Sequence, residues 1–103
     1  MLGNLEEEIA FSIPIEFELK QNYPNPFNPN TLIEFNLPIG SNISLKVFDA
    51  TGKEVVSLLN DFRESGNHKI IFEAHKFNLS SGVYFYSLSA NGFTQTKPMM
   101  LLK

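Results

Sequence analysis

Hydrophobic and polar residues alternate along most of this chain, which is the pattern of strands that bury one face. The alternation is clear over residues 33–37, 43–47, 68–74 and 83–90. Residues 53–62 have some helical spacing, but β-branched side chains that follow a glycine turn favour a strand there. The sequence therefore predicts about seven strands, at residues 16–20, 31–37, 43–49, 53–59, 67–74, 83–90 and 94–102.

Glycine-containing turns separate the predicted strands. Asp49-Ala50-Thr51-Gly52 is typical of a type I turn that ends in a left-handed glycine, and Asn91-Gly92 is typical of a two-residue hairpin loop. The turn glycines are predicted to be Gly52, Gly66, Gly82 and Gly92. Short strands separated at this spacing predict an all-β, immunoglobulin-like antiparallel β-sandwich, with an orthogonally packed barrel as the alternative.

The same alternation predicts the core and the position of the last strand. The predicted core residues are Phe17, Leu19, Ile33, Phe35, Leu45, Val47, Val55, Leu58, Ile70, Phe72, Tyr84, Leu88 and Leu101. Residues 99–102 are apolar on both faces, which suits a central strand. Pro98 instead indicates an edge position or a bulge, because proline cannot donate a backbone hydrogen bond.

Two parts of the chain are predicted. Residues 15–103 form the sandwich, and residues 1–14 are a linker or the remnant of an upstream domain. Residues 9–19 alternate without a break, although a single sandwich needs only the second half of that run. Because unpaired apolar strands tend to pair with other chains, we expect residues 8–14 to be disordered or to mediate self-association.

Composition excludes several classes of protein. Hydrophobic residues make up 43% of the chain, with 10 phenylalanines, which indicates a folded domain. The net charge of −3 gives no basic footprint for nucleic acid. The chain has no cysteine, and it has no apolar run of the roughly 18 residues that a membrane span requires.

The residues capable of chemistry do not form an active-site pattern. His68 and His75 are an odd number of residues apart, so one continuous strand would direct them to opposite faces, and a shared metal is not expected. The carboxylates flank turns or lie in charge runs, and no nucleophile or phosphate-binding motif is present. The sequence thus predicts no enzyme, no cofactor and no metal site. Two weaker alternatives are a calcium ion at the loop carbonyls around Asn25, Asn28 and Asn30, and sugar stacking on Phe48, Phe85 or Phe93.

Residues 21–31 form the most distinctive segment. They contain three of the six prolines, separated by asparagines. Proline fixes φ and removes a donor, while asparagine makes local bonds to the backbone. Tyr23 and Phe27 are expected to pack inward as two apolar anchors, and the segment predicts a stiff, ordered loop.

This segment and five others resemble the type A C-terminal sorting domains of the type IX secretion system. The others are Pro14–Gln21, Ser44–Val55, Ser65–His68, Leu79–Tyr84 and Lys97–Lys103. The resemblance covers residues 14–103 and extends to the immunoglobulin-like domain of the flagellar hook-capping protein. Two positions depart from the family pattern, Phe72 where tryptophan is common and Pro98 where lysine or arginine is common.

The resemblance implies a non-catalytic sorting signal on a larger cargo. The implied partners are an outer-membrane translocon, a surface protease and the covalently linked upstream cargo, and the implied location is the periplasm in transit and then the cell surface or the exterior. The implied recognition loop is Asn22, Tyr23, Pro24, Asn25, Pro26, Phe27, Asn28 and Pro29, and the implied terminal strand contributes Lys97, Met99, Met100, Leu101, Leu102 and Lys103. A passive or adhesive immunoglobulin-like module, either a spacer or a carbohydrate-binding domain, is the alternative.

Overall fold

The computed structural model describes residues 14–103, and the self-association predicted for residues 8–14 falls almost wholly outside them. The elements are β1 (Glu18–Leu19), β2 (Asn30–Leu37), β3 (Ser41–Asp49), β4 (Glu54–Arg63), β5 (Gly66–Glu73), a 3-10 helix (Ala74–Phe77), β6 (Gly82–Ala90) and β7 (Phe93–Leu101). None of the described residues lies in a helix that is long and apolar enough to cross a membrane.

The strands form two antiparallel sheets. One has three strands in the order β1-β2-β5, and the other has four in the order β4-β3-β6-β7. The chain crosses from one sheet to the other between β2 and β3, between β4 and β5, and between β5 and β6. This arrangement confirms the predicted immunoglobulin-like sandwich. It puts β7 at the edge of its sheet, as Pro98 indicated, so the central position expected from the two apolar faces of residues 99–102 is wrong.

The core lies between the sheets and is built from alternate residues of both. The predicted core residues that are buried are Leu19, Ile33, Phe35, Leu45, Val47, Phe72, Tyr84, Leu88 and Leu101. Further buried side chains that the pattern did not single out include Phe27, Leu37, Ile43, Tyr86 and Met99.

Four predicted core residues are only partly buried, and two of them are displaced by β-bulges. Phe17 and Ile70 pack at the margin of the core. In the pairing of β3 with β4, the register shifts so that Leu58 and Val55 have no directly opposite partner. A bulge reverses the alternation along a strand, and Val56 is therefore buried in place of Val55.

Several predicted boundaries are also wrong. β1 has only two residues, and β4 continues to Arg63, so the ion pair of Asp61 with Arg63 (2.9 Å) lies on a strand and not in a loop. The predicted strand 67–74 ends one residue early, at the 3-10 helix that carries His75.

Both predicted hairpin turns are present. Gly52 has φ of +90° and its N–H donates to the Asp49 carbonyl at 3.0 Å, while Asn91 and Gly92 link β6 to β7 with φ of +47° and +85°. The Asp49 carboxylate also accepts hydrogen bonds from the Thr51 hydroxyl and from the N–H groups of Thr51 and Lys53. These bonds, above all that from the Thr51 hydroxyl, lower the pKa of Asp49.

Replacing Gly52 with alanine should destabilise the domain, because a side chain is disfavoured at this positive φ. We expect a loss of about 1–2 kcal/mol in the free energy of unfolding, measured by chemical denaturation. Ala50→Gly in the same turn is the control and should change stability by less than about 1 kcal/mol. Equal effects of the two substitutions would show that the turn does not need its left-handed residue.

Candidate functional site

The structure brings together the two segments that the family resemblance singled out. The loop, residues 22–29, lies along the outer edge of β7, on the side away from β6. The Phe27 N–H donates to the Met100 carbonyl at 2.9 Å, and the Leu102 N–H donates to the Phe27 carbonyl at 2.9 Å. These two bonds make a short parallel bridge between Phe27 and Leu101. The loop thus completes the sheet where another strand would otherwise pair.

Side chains extend this edge contact towards the start of β7. The Met100 N–H donates to the Asn25 side-chain oxygen at 2.9 Å, and Gln21 Nε2 donates to the Pro98 carbonyl at 2.6 Å. The backbone of Pro98 therefore faces away from β6. Because of this, β7 loses no hydrogen bond to β6 through the missing N–H of Pro98. The peptide bonds preceding Pro24, Pro26 and Pro29 are cis.

Of the two aromatic side chains in the loop, only one is an anchor. Phe27 is 2% exposed, and its ring lies 6.0 Å from that of Phe72 in a tilted arrangement. Tyr23 is 78% exposed, so the expectation that it also packs inward is wrong. Burial of Phe27 holds the loop against both sheets.

A buried polar cluster holds the start of the loop. The Tyr86 hydroxyl donates to the Lys20 carbonyl and accepts from the Asn22 N–H, both at 2.7 Å. Asn22 Nδ2 donates to the Thr31 hydroxyl at 2.9 Å and to the Pro24 carbonyl at 3.1 Å. The Thr31 hydroxyl in turn donates to the Pro24 carbonyl at 2.8 Å.

Every buried side-chain nitrogen and oxygen among the described residues has a partner, so this cluster is fully satisfied. Burial raises the pKa of Tyr86 to about 12, because the ionised phenol would lose its solvation. The sequence analysis missed the cluster. Its one available signal was Asn22 beside the prolines, and nothing there pointed to Tyr86 as its partner.

The terminal strand divides its residues between two roles. Met99 and Leu101 are each 1% exposed and belong to the core, whereas Met100 and Leu102 are 39% and 48% exposed. Lys103 follows directly and its N–H donates to the Ser81 hydroxyl at 3.0 Å. Met100 and Leu102 are therefore the apolar side chains of this strand that a partner can reach.

A shallow apolar pocket lies beside this edge. Its volume is about 170 Å³, and it is lined by Asn25, Val83, Pro98, Met99 and Met100. Of the turn glycines, Gly82 pairs with Leu101 next to this pocket. Gly66 and Gly92 lie at the opposite end of the sandwich, and Gly52 lies in the β3–β4 hairpin.

The histidines do not form a site with each other. His68 stacks on Phe35 at 5.2 Å and bonds through Nε2 to the Glu64 carbonyl at 2.8 Å, while His75 is exposed on the 3-10 helix. Over residues 14–103 no group of three or more His, Cys, Asp or Glu side chains is arranged to hold a metal ion.

Some residues of the proposed calcium and sugar sites already have partners within the domain. Beside the loop carbonyls proposed as calcium ligands, the Asn25 side-chain oxygen accepts a hydrogen bond from the Met100 N–H. Phe93, proposed to stack on sugar, instead stacks on Phe17 at 5.4 Å. Phe48 and Phe85 are half-buried neighbours on β3 and β6.

Comparison with known proteins agrees with the geometry. The sequence profile described as "Secretion system C-terminal sorting domain" matches residues 21–101, a span that contains the loop and all of β7. No curated protein matches the chain.

One similar solved structure is PorZ of Porphyromonas gingivalis, described as an essential bacterial surface component of the type IX secretion system. The likeness has a TM-score of 0.54 at 20% sequence identity, and it covers 81% of this chain but 11% of the PorZ chain. At that identity it supports the fold alone. Since the family profile matches most of the chain, the chain belongs to the secretion system C-terminal sorting domains, the signals that direct proteins to type IX secretion.

Proposed function

We propose that this domain is a folded, non-catalytic address that the outer-membrane translocon recognises through the loop, residues 22–29, and the terminal strand. The observation that carries this proposal is their pairing along one sheet edge. Because burial of Phe27 and the Tyr86 cluster fix this geometry before any contact is made, recognition costs little ordering entropy.

The position of the chain's entry into the domain supports the same proposal. Phe17 stacks on Phe93, beside the Asn91-Gly92 hairpin, and the chain then runs parallel to β7 towards the loop. Anything joined upstream therefore attaches at one end of the sandwich, while the loop and residues 98–103 lie at the other. A translocon can engage the far end without contacting the cargo.

The same separation suits removal by a surface protease after export. Ile15 is 92% exposed at the start of the described chain, and a cut upstream of it would release the cargo without disturbing the sandwich. We propose this order of events: passage through the periplasm, recognition at the outer membrane, then cleavage at the surface.

Transfer of the domain to a reporter tests the proposal. A fluorescent protein with a periplasmic signal peptide would carry residues 1–103 at its C-terminus, in a bacterium that has a type IX system. We expect the reporter at the surface or in the medium, shortened by the mass of the domain. The matched strain without a functional translocon should retain the uncut fusion in the periplasm.

Removal of residues 97–103 is a poorer test, because it deletes the buried Met99 and Leu101 and would unfold the domain. Retention of the reporter in both strains would contradict the proposal and leave the passive or adhesive module. Binding of the purified fusion to polysaccharide, lost in Phe48→Ala, would then identify the adhesive form.

A further inference from the structure

The outer edge of β7 is not available for strand addition along residues 98–102. Its outward backbone groups bond to Phe27, Asn25 and Gln21. Freeing them would require withdrawal of the buried Phe27 side chain, which is costly. A partner that reads this end of the domain must therefore contact a face of the sandwich and not this edge.

The outer face of the four-stranded sheet is apolar at this same end. Register pairs Phe48 with Phe85 and Phe85 with Pro98, and it pairs Val83 with Met100 one step further along. We call this surface the apolar platform, and it consists of Phe48, Val83, Phe85, Pro98, Met100 and Leu102.

The other half of the same face has a different character. There, Thr96 donates to the Ser87 hydroxyl at 2.9 Å, and the hydroxyls of Ser89 and Thr94 are 3.3 Å apart. A solvated sheet face is normally polar along its whole length. The apolar half is therefore the exception on this sheet, and its pocket of about 170 Å³ between Val83, Pro98 and Met100 has room for one apolar side chain.

Charge around the platform is unevenly paired. At this end of the sandwich Glu54 bonds to Lys46 at 3.2 Å and Glu73 to Lys76 at 3.0 Å. Lys53, after the β3–β4 turn, has its charge offset by the nearby Asp49 carboxylate, whereas Lys103, beside Leu102, forms no salt bridge within residues 14–103. The surplus at the platform is thus positive, and a complementary partner is negative.

We propose that the apolar platform docks a protein of the secretion machinery that inserts an apolar side chain between Val83 and Met100 and places a carboxylate near Lys103. This inference rests on the proposed sorting function and adds the face and the chemistry of the contact. The platform lies at the opposite end of the sandwich from Phe17, where the described chain enters the domain beside Phe93.

Single charge substitutions in the reporter fusion test the docking face. Met100→Glu and Val83→Glu are expected to reduce secreted reporter by about tenfold, since each buries an unpaired carboxylate in the contact. Met100→Lys should reduce it less than Met100→Glu, because the partner is acidic. Thr94→Glu, on the same strand and face but in the hydroxyl half, is the matched control and should secrete normally.

Leu102→Glu, beyond the last strand residue, repeats the test without altering a strand position, and unchanged unfolding midpoints show that each variant is folded. Normal secretion of Met100→Glu and Leu102→Glu would overturn the platform, while secretion of the parent fusion would still uphold the sorting function. Equal loss in Thr94→Glu, or equal loss in Met100→Lys and Met100→Glu, would also overturn it.

A lipid membrane is the other class of surface that binds a positively charged apolar face of a protein. Purified fusion protein would be mixed with vesicles of phospholipid and lipopolysaccharide, with Met100→Glu as the comparison. We expect no binding by either protein. Binding of the parent that is lost in Met100→Glu would assign the platform to lipid and overturn the protein partner.

Discussion

Phe27→Ala is expected to lower the free energy of unfolding by about 3–5 kcal/mol. The ring is 2% exposed and packs on Phe72, so truncation leaves a cavity that the stiff proline-rich loop cannot collapse to fill. Chemical denaturation of the purified fusion measures the loss. In the reporter assay the same variant should fail to secrete, because the backbone bonds between Phe27 and residues 100 and 102 depend on the buried ring.

Tyr23→Ala is the matched control in the same loop. Tyr23 is 78% exposed, so its removal should change stability by less than about 1 kcal/mol. If Phe27→Ala were as mild as this control, the loop would be held by its prolines and hydrogen bonds alone. In that case the edge contact would not depend on the core.

The strands and hairpins were predictable because their signals are local. Alternation over residues 33–37 and 83–90 requires one buried face, and Asn91-Gly92 requires positive φ at both turn residues. The position of β7 was also predictable from a single residue. Pro98 has no N–H for a neighbouring strand, and the structure confirms an edge there.

What the sequence did not predict depends on pairs of residues far apart in the chain. The bulges at Leu58 and Val55 arise from the pairing of β4 with β3, and nothing in residues 54–63 specifies which residue is skipped. The contact of the loop with β7 joins residues more than 70 positions apart. Residue types indicated a stiff loop, but the packing of Phe27 and the hydrogen bonds of the Tyr86 cluster determine where it lies.

The loop also explains how a strand with apolar residues on both faces remains at a sheet edge. An exposed apolar edge invites pairing with other chains, and here the domain covers that edge with its own loop. Met99 and Leu101 are buried below it, while Met100 and Leu102 are exposed above it. The two features that the family resemblance singled out are thus one physical unit.

Tyr86→Phe is the second substitution with a large expected effect, about 2–4 kcal/mol of unfolding free energy. It removes one hydroxyl and with it the bonds to the Lys20 carbonyl and from the Asn22 N–H. Asn22 is 2% exposed, so its N–H is left buried without a partner. Tyr84→Phe is the control, because it loses a single bond to the Ser80 carbonyl in a less buried place and should cost about 1 kcal/mol.

The pH dependence of the unfolding free energy shows whether Tyr86→Phe acts through loss of the hydroxyl or through a general loss of packing. The folded-state pKa of Tyr86, about 12, lies above its ordinary value of 10.0, so the folded state favours the neutral phenol. The resulting stability is complete below about pH 10 and is lost as the pH rises through about 12. Over that window the parent should lose about 3 kcal/mol that Tyr86→Phe does not lose. The stability gap between them therefore narrows on the alkaline side, and a gap that stayed constant would show that the hydroxyl ionises as freely in the folded domain as in the unfolded chain.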